Sequence, residues 1–304
     1  MIARQLFLLI AAGSTAMPGA TAWAQAAAIT PDSLRDRIVE KIAETPGATV
    51  GVAYVDLQSG KKLSLAADTV FHAASTMKIP VMIEVLRRAQ QGAFSLDQGI
   101  LLINQFRSLA DGSPFSLDAK DDGDSSLYKR VGDRVPIREM LRLMIVRSSN
   151  LATNQLIELV GAAHVTAGAH ALGATRTQVL RGVEDQKAFD AGLINTITAD
   201  DLATLLVAIE SGRILSPASS ALMRDILLAQ EFNEKIPAGL PAGTRVAHKT
   251  GEITAVSHDA AIVYPAGRKP YVLVVLTRGI RDGKASAALI ADISRIVYAD
   301  ATSH

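Results

Sequence analysis

Strand-like segments lie near both ends of this 304-residue chain, and helical patterns fill its middle. Apolar runs predict strands at residues 48–57, 62–66, 245–249, 256–264 and 271–276. Each group of strands is flanked by a helical segment, so the two groups can bury a common core if they pair in one sheet. The pattern predicts an α/β fold of the α+β type: an antiparallel sheet built from both chain ends with flanking helices, plus an all-helical lobe.

Apolar residues at helical spacing predict the helices. Thr30 and Pro31 are typical of an N-cap and a first helical position, and this helix is expected to end near Glu44. A second helix is expected to begin near Ser75 and to end near Gln91. The later helical patterns lie at residues 136–146, 151–160, 162–171, 199–210, 217–228 and 285–298.

Two segments lack periodicity and are predicted to be loops. Residues 104–134 are rich in Gly, Ser and Asp, which favours a long loop or lid. The acidic run at residues 118–124 is expected to be solvated, because lysines stand where a calcium loop needs acidic or amide ligands. Residues 181–195 form the second predicted loop.

The first residues are typical of a targeting signal. Arg4 precedes an apolar stretch at residues 6–12, and an Ala-x-Ala cleavage pattern follows at residues 22–24. We therefore predict a signal peptide at residues 1–24 and a secreted or periplasmic protein that begins near Gln25, without a membrane span after cleavage. A membrane anchor is the alternative, although the apolar stretch is short for a span.

The remaining residues, 25–304, are predicted to form a single domain. Its α/β lobe is expected at about 28–70 and 200–304, and its helical lobe at about 71–199. A net charge of +1 gives no reason to expect a nucleic-acid partner. The chain has no Cys, and its six His lie at no recognisable ligand spacing, so no metal or cofactor is expected.

Three Ser-x-x-Lys tetrads begin at Ser59, Ser75 and Ser126. The first lies in a predicted hairpin turn and the third in the polar loop, where both are expected to be surface residues. Ser75 lies where a helix begins, with Lys78 on the same face one turn later. A desolvated lysine there can accept the serine proton, and the helix N-terminus stabilises developing negative charge. On this tetrad alone, a simple N-cap followed by a surface lysine remains the alternative.

Two further motifs follow along the chain. Residues 148–150, Ser-Ser-Asn, lie between two predicted helices, and residues 249–251, Lys-Thr-Gly, are predicted to end a strand. With the tetrad at Ser75 they match the S-x-x-K, S-D-N and K-T-G set of class A β-lactamases and penicillin-binding proteins, except that Ser149 replaces the Asp. The combination predicts a serine hydrolase.

The chain resembles the class A β-lactamases, within the penicillin-recognising serine hydrolases, across most of its predicted mature part. Besides the three motifs, the resemblance includes Leu-Pro-Ala-Gly at residues 240–243 and Glu184 in the second predicted loop. In that family, a Glu at this place activates the water that releases the acyl group. The alternative for Glu184 is a loop carboxylate paired with Arg181.

The resemblance implies an acyl-enzyme reaction on a small β-lactam or peptidoglycan-like amide, without a cofactor, by a monomer. The implied oxyanion hole consists of two backbone N–H groups, those of Ser75 and Glu252. The implied catalytic residues are Ser75, Lys78, Ser148, Glu184 and Lys249. The implied substrate-binding residues are Asn150, Thr250, Gly251 and Glu252.

The sequence departs from the family at several positions. Ala188 stands where the family usually has an Asn that helps to hold the water, and Glu252 stands where a small residue is common. No clear arginine is placed to bind a substrate carboxylate. The candidates for that role are Lys235, His258 and Arg245. Three functions stay open: a β-lactamase, a peptidoglycan DD-peptidase or another serine hydrolase of the same fold, and a β-lactam-binding sensor that does not turn over. Deacylation separates them.

Overall fold

The computed structural model describes residues 33–303. The predicted signal peptide and the predicted helix start at Thr30 and Pro31 lie outside the described residues. Helix α1 (Leu34–Ala43) follows Ser33, whose hydroxyl accepts the N–H of Asp36 and so caps the helix. The cap of this helix is therefore Ser33 instead of the predicted Thr30.

The main sheet has five strands: β1 (Thr49–Asp56), β2 (Lys62–Leu65), β3 (Arg245–Ile253), β4 (Val256–Tyr264) and β5 (Tyr271–Arg278). Their order is β2-β1-β5-β4-β3, and every neighbouring pair is antiparallel. The first strand of the chain pairs with the last one along its full length, from Thr49 opposite Arg278 to Asp56 opposite Tyr271. The predicted sheet built from both chain ends is confirmed, and β3 forms one of its edges.

The remaining helices of more than one turn are α2 (Lys78–Gln90), α3 (Ile137–Val146), α4 (Asn150–Val160), α5 (Ala162–Ala171), α6 (Gln186–Asp190), α7 (Ala199–Glu210), α8 (Pro217–Leu228) and α9 (Gly283–Thr302). Helices α1 and α9 pack together and share one apolar core with the sheet. A second core joins the opposite side of the sheet to the middle helices. Helix α7 packs on β1, β4 and β5 within it.

Helix α2 occupies the centre of the helical part. A 3₁₀ turn (Ala74–Met77) leads into it, and its residues from Lys78 to Leu86 are all buried. Pro80 stands in its first turn, where the backbone N–H that proline lacks would have no carbonyl partner within the helix. Because α2 packs against α3, α4, α5 and α7, its N-terminus is held firmly at the boundary between the helices and the sheet.

The predicted lid at residues 104–134 contains short ordered elements. Residues 106–107 pair with 114–115, a 3₁₀ turn spans Leu127–Arg130, and residues 99–101 pair with 134–136. Within the predicted loop at 181–195 lies the short helix α6, which Asp185 caps through the N–H of Ala188.

The prediction of a solvated acidic run at residues 118–124 is wrong for two of its carboxylates. Asp122 accepts the backbone N–H groups of Asn150 and Leu151, each at 2.9 Å, and also the hydroxyl of Tyr128. It thereby binds the positive end of α4. Asp124 is only 4% exposed. The charges are tolerated because helix N–H groups and hydroxyls replace their water.

No helix within residues 33–303 is both long enough and apolar enough to cross a membrane.

Candidate active site

A cleft of about 720 Å³ lies where the helices meet the edge strand β3. Its walls come from the 3₁₀ turn before α2, the start of α4, the loop that carries α6, the residues before the 3₁₀ turn at 236–239, and β3. The predicted site residues that line it are Ser75, Ser148, Asn150, Glu184, Thr250, Gly251 and Glu252. Lys78 and Lys249 are fully buried. The structure therefore brings three sequence motifs, separated by 70 residues or more, into one place.

Ser75 is presented by a tight turn. Ala74 has φ of 44°, in the left-handed region that favours glycine. The Nδ1 atom of His72 accepts the N–H of Ala74 at 3.0 Å, and the hydroxyl of Thr76 donates to the carbonyl of Ala73 at 2.6 Å. These bonds hold the turn in its strained conformation and leave Ser75 partly exposed to the cleft.

Lys78 lies behind the cleft at the first position of α2. Its Nζ donates to the Ser148 carbonyl at 2.7 Å, the Ser148 hydroxyl at 3.0 Å and the Asn150 side-chain oxygen at 2.9 Å. Burial lowers its pKa from 10.5 to about 7, against the opposing attraction of nearby carboxylates. Burial thus favours the neutral amine, which is the form that can accept a proton.

The hydroxyl of Ser148 lies between two lysines. Its Oγ is 3.0 Å from the Nζ of Lys78 and 3.0 Å from the Nζ of Lys249. Burial holds the pKa of Lys249 well below its ordinary value, and the neighbouring charge of Lys78 lowers it further. Because two buried ammonium groups this close repel each other, the three groups can share protons through the hydroxyl.

Asn150 links the buried lysine to the loop carboxylate. Its amide oxygen accepts from Lys78, and its amide nitrogen donates to Oε1 of Glu184 at 3.0 Å. The resemblance placed Asn150 among the substrate-binding residues and did not predict these two partners. Partial burial raises the pKa of Glu184, and so does the nearby Asp121. Arg181, the alternative partner of Glu184, donates to the carbonyls of Leu193 and Gly182.

Strand β3 approaches the turn of Ser75 without space for a side chain. A Cβ atom on Gly251 would lie 3.0 Å from the backbone N of Ser75 and 3.1 Å from that of Thr76. The Lys-Thr-Gly motif was predicted to end a strand, but β3 continues to Ile253. The motif is therefore held inside an edge strand, because its residues pair with β4 on one side and the Ser75 turn packs on the other.

Asn195 is a cleft residue that sequence reasoning missed. Its side-chain oxygen accepts the N–H of Leu180, and its nitrogen donates to the carbonyl of Arg181 at 3.0 Å and to the sulfur of Met77 at 2.9 Å. It ties the loop that carries Glu184 to the turn that carries Ser75. No motif includes this residue. Only its position as the last residue of the predicted loop could have indicated that it holds the loop in place.

Of the three candidates for binding a substrate carboxylate, Lys235 lines the cleft. His258 is buried between the carbonyls of Ser257 and His72, and burial lowers its pKa to about 4, which makes it neutral near pH 7. Arg245 stacks on the ring of Tyr264, 5.3 Å from its centroid.

Comparison with known proteins gives a consistent result. A family model described as the beta-lactamase enzyme family matches residues 33–301. Beta-lactamase AST-1 of Nocardia asteroides is 30% identical over 88% of this chain and 84% of its own length. The carbapenem-hydrolyzing beta-lactamase KPC of Klebsiella oxytoca is 30% identical over 84% of this chain and 85% of its own.

Two solved structures extend the likeness to the fold. An ancestral class A beta-lactamase superimposes with a TM-score of 0.77 at 30% identity, covering 88% of this chain and all of its own. PBP-A gives a TM-score of 0.75 at 30% identity, covering 88% of this chain and 95% of its own. A PBP-A mutant, L158E, has been solved as an acyl-enzyme complex with penicillin G.

Proposed function

Because this chain belongs to the beta-lactamase enzyme family, we propose that it hydrolyses β-lactams through an acyl-enzyme on Ser75. The proposal rests on the buried Lys78 and Lys249, whose ammonium groups both bond to Ser148 in the cleft that Ser75 also lines. Burying two lysines beside one serine hydroxyl costs folding free energy, because no carboxylate in the described part of the chain pairs with their charges there. Such a cost is typical of functional residues. Acid–base catalysis beside a nucleophile is a function that needs lysines with lowered pKa values.

Acylation begins with attack of the Ser75 hydroxyl on the substrate carbonyl. The proton of Ser75 passes to neutral Lys78, whose lowered pKa makes it a suitable base near pH 7. As the carbon–nitrogen bond breaks, Ser148 donates its proton to the leaving nitrogen and receives another from Lys249 or Lys78. The substrate nitrogen gains one hydrogen and Ser75 becomes an ester.

We assign the backbone N–H groups of Ser75 and Glu252 as the hydrogen-bond donors that stabilise the developing oxyanion. The close approach of Gly251 to the Ser75 turn supports this assignment, because it places the β3 edge beside the nucleophile. Removing such a donor typically costs roughly 3–4 kcal/mol of transition-state stabilisation.

Deacylation requires a water activated by Glu184. The carboxylate accepts one proton of the water while the water oxygen attacks the ester carbon, and this proton passes to the Ser75 oxygen when its bond to the acyl carbon breaks. Asn150 orients Glu184 through the hydrogen bond at 3.0 Å. Ala188 is fully buried in α6 and offers no side-chain amide to hold the water. We therefore expect deacylation to limit turnover.

A second candidate function is acylation without efficient hydrolysis, as in a DD-peptidase-like or sensing protein. Ala188 favours it, together with the similarity to PBP-A. Nitrocefin separates the two candidates when colour and intact protein mass are followed together. A β-lactamase gives a burst followed by continued turnover, whereas a trapped protein gives one equivalent of colour and a lasting adduct.

Export forms part of the same proposal. Cleavage after residue 24 is expected to release a secreted or periplasmic protein, and N-terminal sequencing of protein from a bacterial host should find a start near Gln25. Recovery of intact Met1 in the membrane fraction would instead support the anchor.

A further inference from the structure

An ion pair between Lys235 and Glu252 lies in the wall of the cleft. The Nζ of Lys235 lies 3.3 Å from Oε2 of Glu252, and it also donates to the carbonyls of Gly251 and His258, each at 3.4 Å. The two side chains differ in exposure: that of Lys235 is 5% exposed and that of Glu252 is 60% exposed. The lysine is thus fixed in the wall, while its carboxylate partner is free to move into solvent.

Lys235 places its ammonium group in the cleft wall beside β3, where it could attract an anionic group of a bound substrate. Its Nζ contacts the carbonyl of Gly251, the residue that packs against the backbone N of Ser75. A substrate bound covalently to Ser75 and extending along β3 must therefore pass this ammonium group.

Glu252 already fills the place of such an anion. It neutralises Lys235 and adds a negative charge at the cleft wall, where two further exposed carboxylates, Asp121 and Glu234, also lie. A substrate carboxylate has to displace the Glu252 carboxylate from Lys235, which costs the free energy of that ion pair. It then lies close to the displaced Glu252 carboxylate, which repels it. An uncharged ester or amide at the same place meets neither cost.

We propose that Glu252 determines substrate specificity: by pairing with Lys235 it makes the site favour acyl substrates that present an uncharged group there over substrates that present a carboxylate. The inference rests on the proposed acylation of Ser75 and names the substrate class of that same site. Glu252→Gln retains the shape and the hydrogen-bonding capacity of the side chain and removes its charge.

The test uses a matched pair of compounds, benzylpenicillin and its methyl ester, with the protein that begins near Gln25. The measured quantity is the ratio of acylation kcat/KM for the acid to that for the ester, from burst kinetics and intact mass. In Glu252→Gln this ratio should rise about fivefold or more, because one opposing charge has been removed. Adding Lys235→Met to that variant should abolish the gain.

Glu234→Gln is the matched control, since Glu234 also lines the cleft as an exposed acid but has no hydrogen bond to Lys235 among the described residues. Its ratio should stay within about twofold of wild type. An equal rise in both variants would overturn the inference in favour of a general field effect, and an unchanged ratio in Glu252→Gln would overturn it outright. If neither compound acylates wild type, the proposed function itself fails, and this inference fails with it.

Discussion

The Nζ of Lys78 lies 3.0 Å from the hydroxyl oxygen of Ser148, although the two residues are 70 positions apart in the chain. This contact joins the central helix to the segment before α4 and places a desolvated amine beside the cleft that Ser75 lines. Its consequences for catalysis can be measured separately from its consequences for folding.

Acylation should depend on pH through Lys78. The neutral amine is the active form, and burial lowers its pKa to about 7, so the acylation rate should be low in acid, rise through about pH 7 and level off above it. Stopped-flow burst rates with nitrocefin between pH 5 and 9 test this. A rate that is flat across this range would exclude Lys78 as the base.

Replacing the amine should slow acylation far more than it affects stability. Lys78→Met keeps a similar shape but cannot accept a proton, and we expect a loss of about 10²–10⁴-fold in the burst rate. Thermal melting should change little or improve, because a buried amine is costly to desolvate. Lys129→Met, in the exposed part of the third tetrad, is the control and should leave both unchanged.

Asp122 should matter for both stability and the site. Asp122→Ala removes the acceptor of the N–H groups of Asn150 and Leu151, and loss of such a cap costs about 1–2 kcal/mol. Acylation should fall with it, because Asn150 positions Lys78. Asp118→Ala removes an exposed carboxylate bound to the N–H of Lys120 and should be nearly neutral in urea unfolding and in burst kinetics.

Gly251→Ala should damage the cleft through its backbone. The added Cβ would meet the N atoms of Ser75 and Thr76, so β3 or the turn must shift, at a cost of about 1–3 kcal/mol in stability and a larger loss of acylation. Gly168→Ala creates a contact of 3.0 Å with Glu84 in the helical part, away from Ser75. Gly168→Ala should alter the melting temperature without slowing acylation. If it also slowed acylation, the loss in Gly251→Ala would reflect strain anywhere in the protein and not damage to the cleft.

Much of the fold could be predicted because the apolar pattern is local. The periodicity gave α5, α7 and α8 with the bounds that the structure has, and paired strands at both ends predicted the antiparallel sheet. The sequence was less informative wherever a partner comes from elsewhere in the chain. Asp122 looked like one of several solvated acids, since its helix N–H partners are 28 residues away.

The candidate site shows the same division. Motifs indicated the candidate residues, and the structure places most of them in the walls of one cleft, with Lys78 and Lys249 buried beside it. Hydrogen-bond partners could not be read from spacing: Lys78 was expected to reach Ser75, but its ammonium bonds to Ser148 and Asn150. The pairing of Glu252 with Lys235 depends on how β3 meets the preceding segment, which no local pattern encodes.

Hydrolysis should depend on Glu184, because the acyl ester needs an activated water. In Glu184→Gln we expect the burst to persist while steady-state turnover falls about 10²-fold or more. The raised pKa of Glu184 also predicts that wild-type deacylation fails in acid at a higher pH than an ordinary glutamate would give. Turnover in the variant at the wild-type rate would show that another group activates the water.

Intact-protein and peptide mass spectrometry during reaction with benzylpenicillin would show whether Ser75 carries the acyl group. We expect one adduct on the Ser75 peptide, transient in wild type, persistent in Glu184→Gln and absent in Ser75→Ala. An adduct on Ser59 or Ser126, or undiminished labelling and turnover in Ser75→Ala, would contradict it.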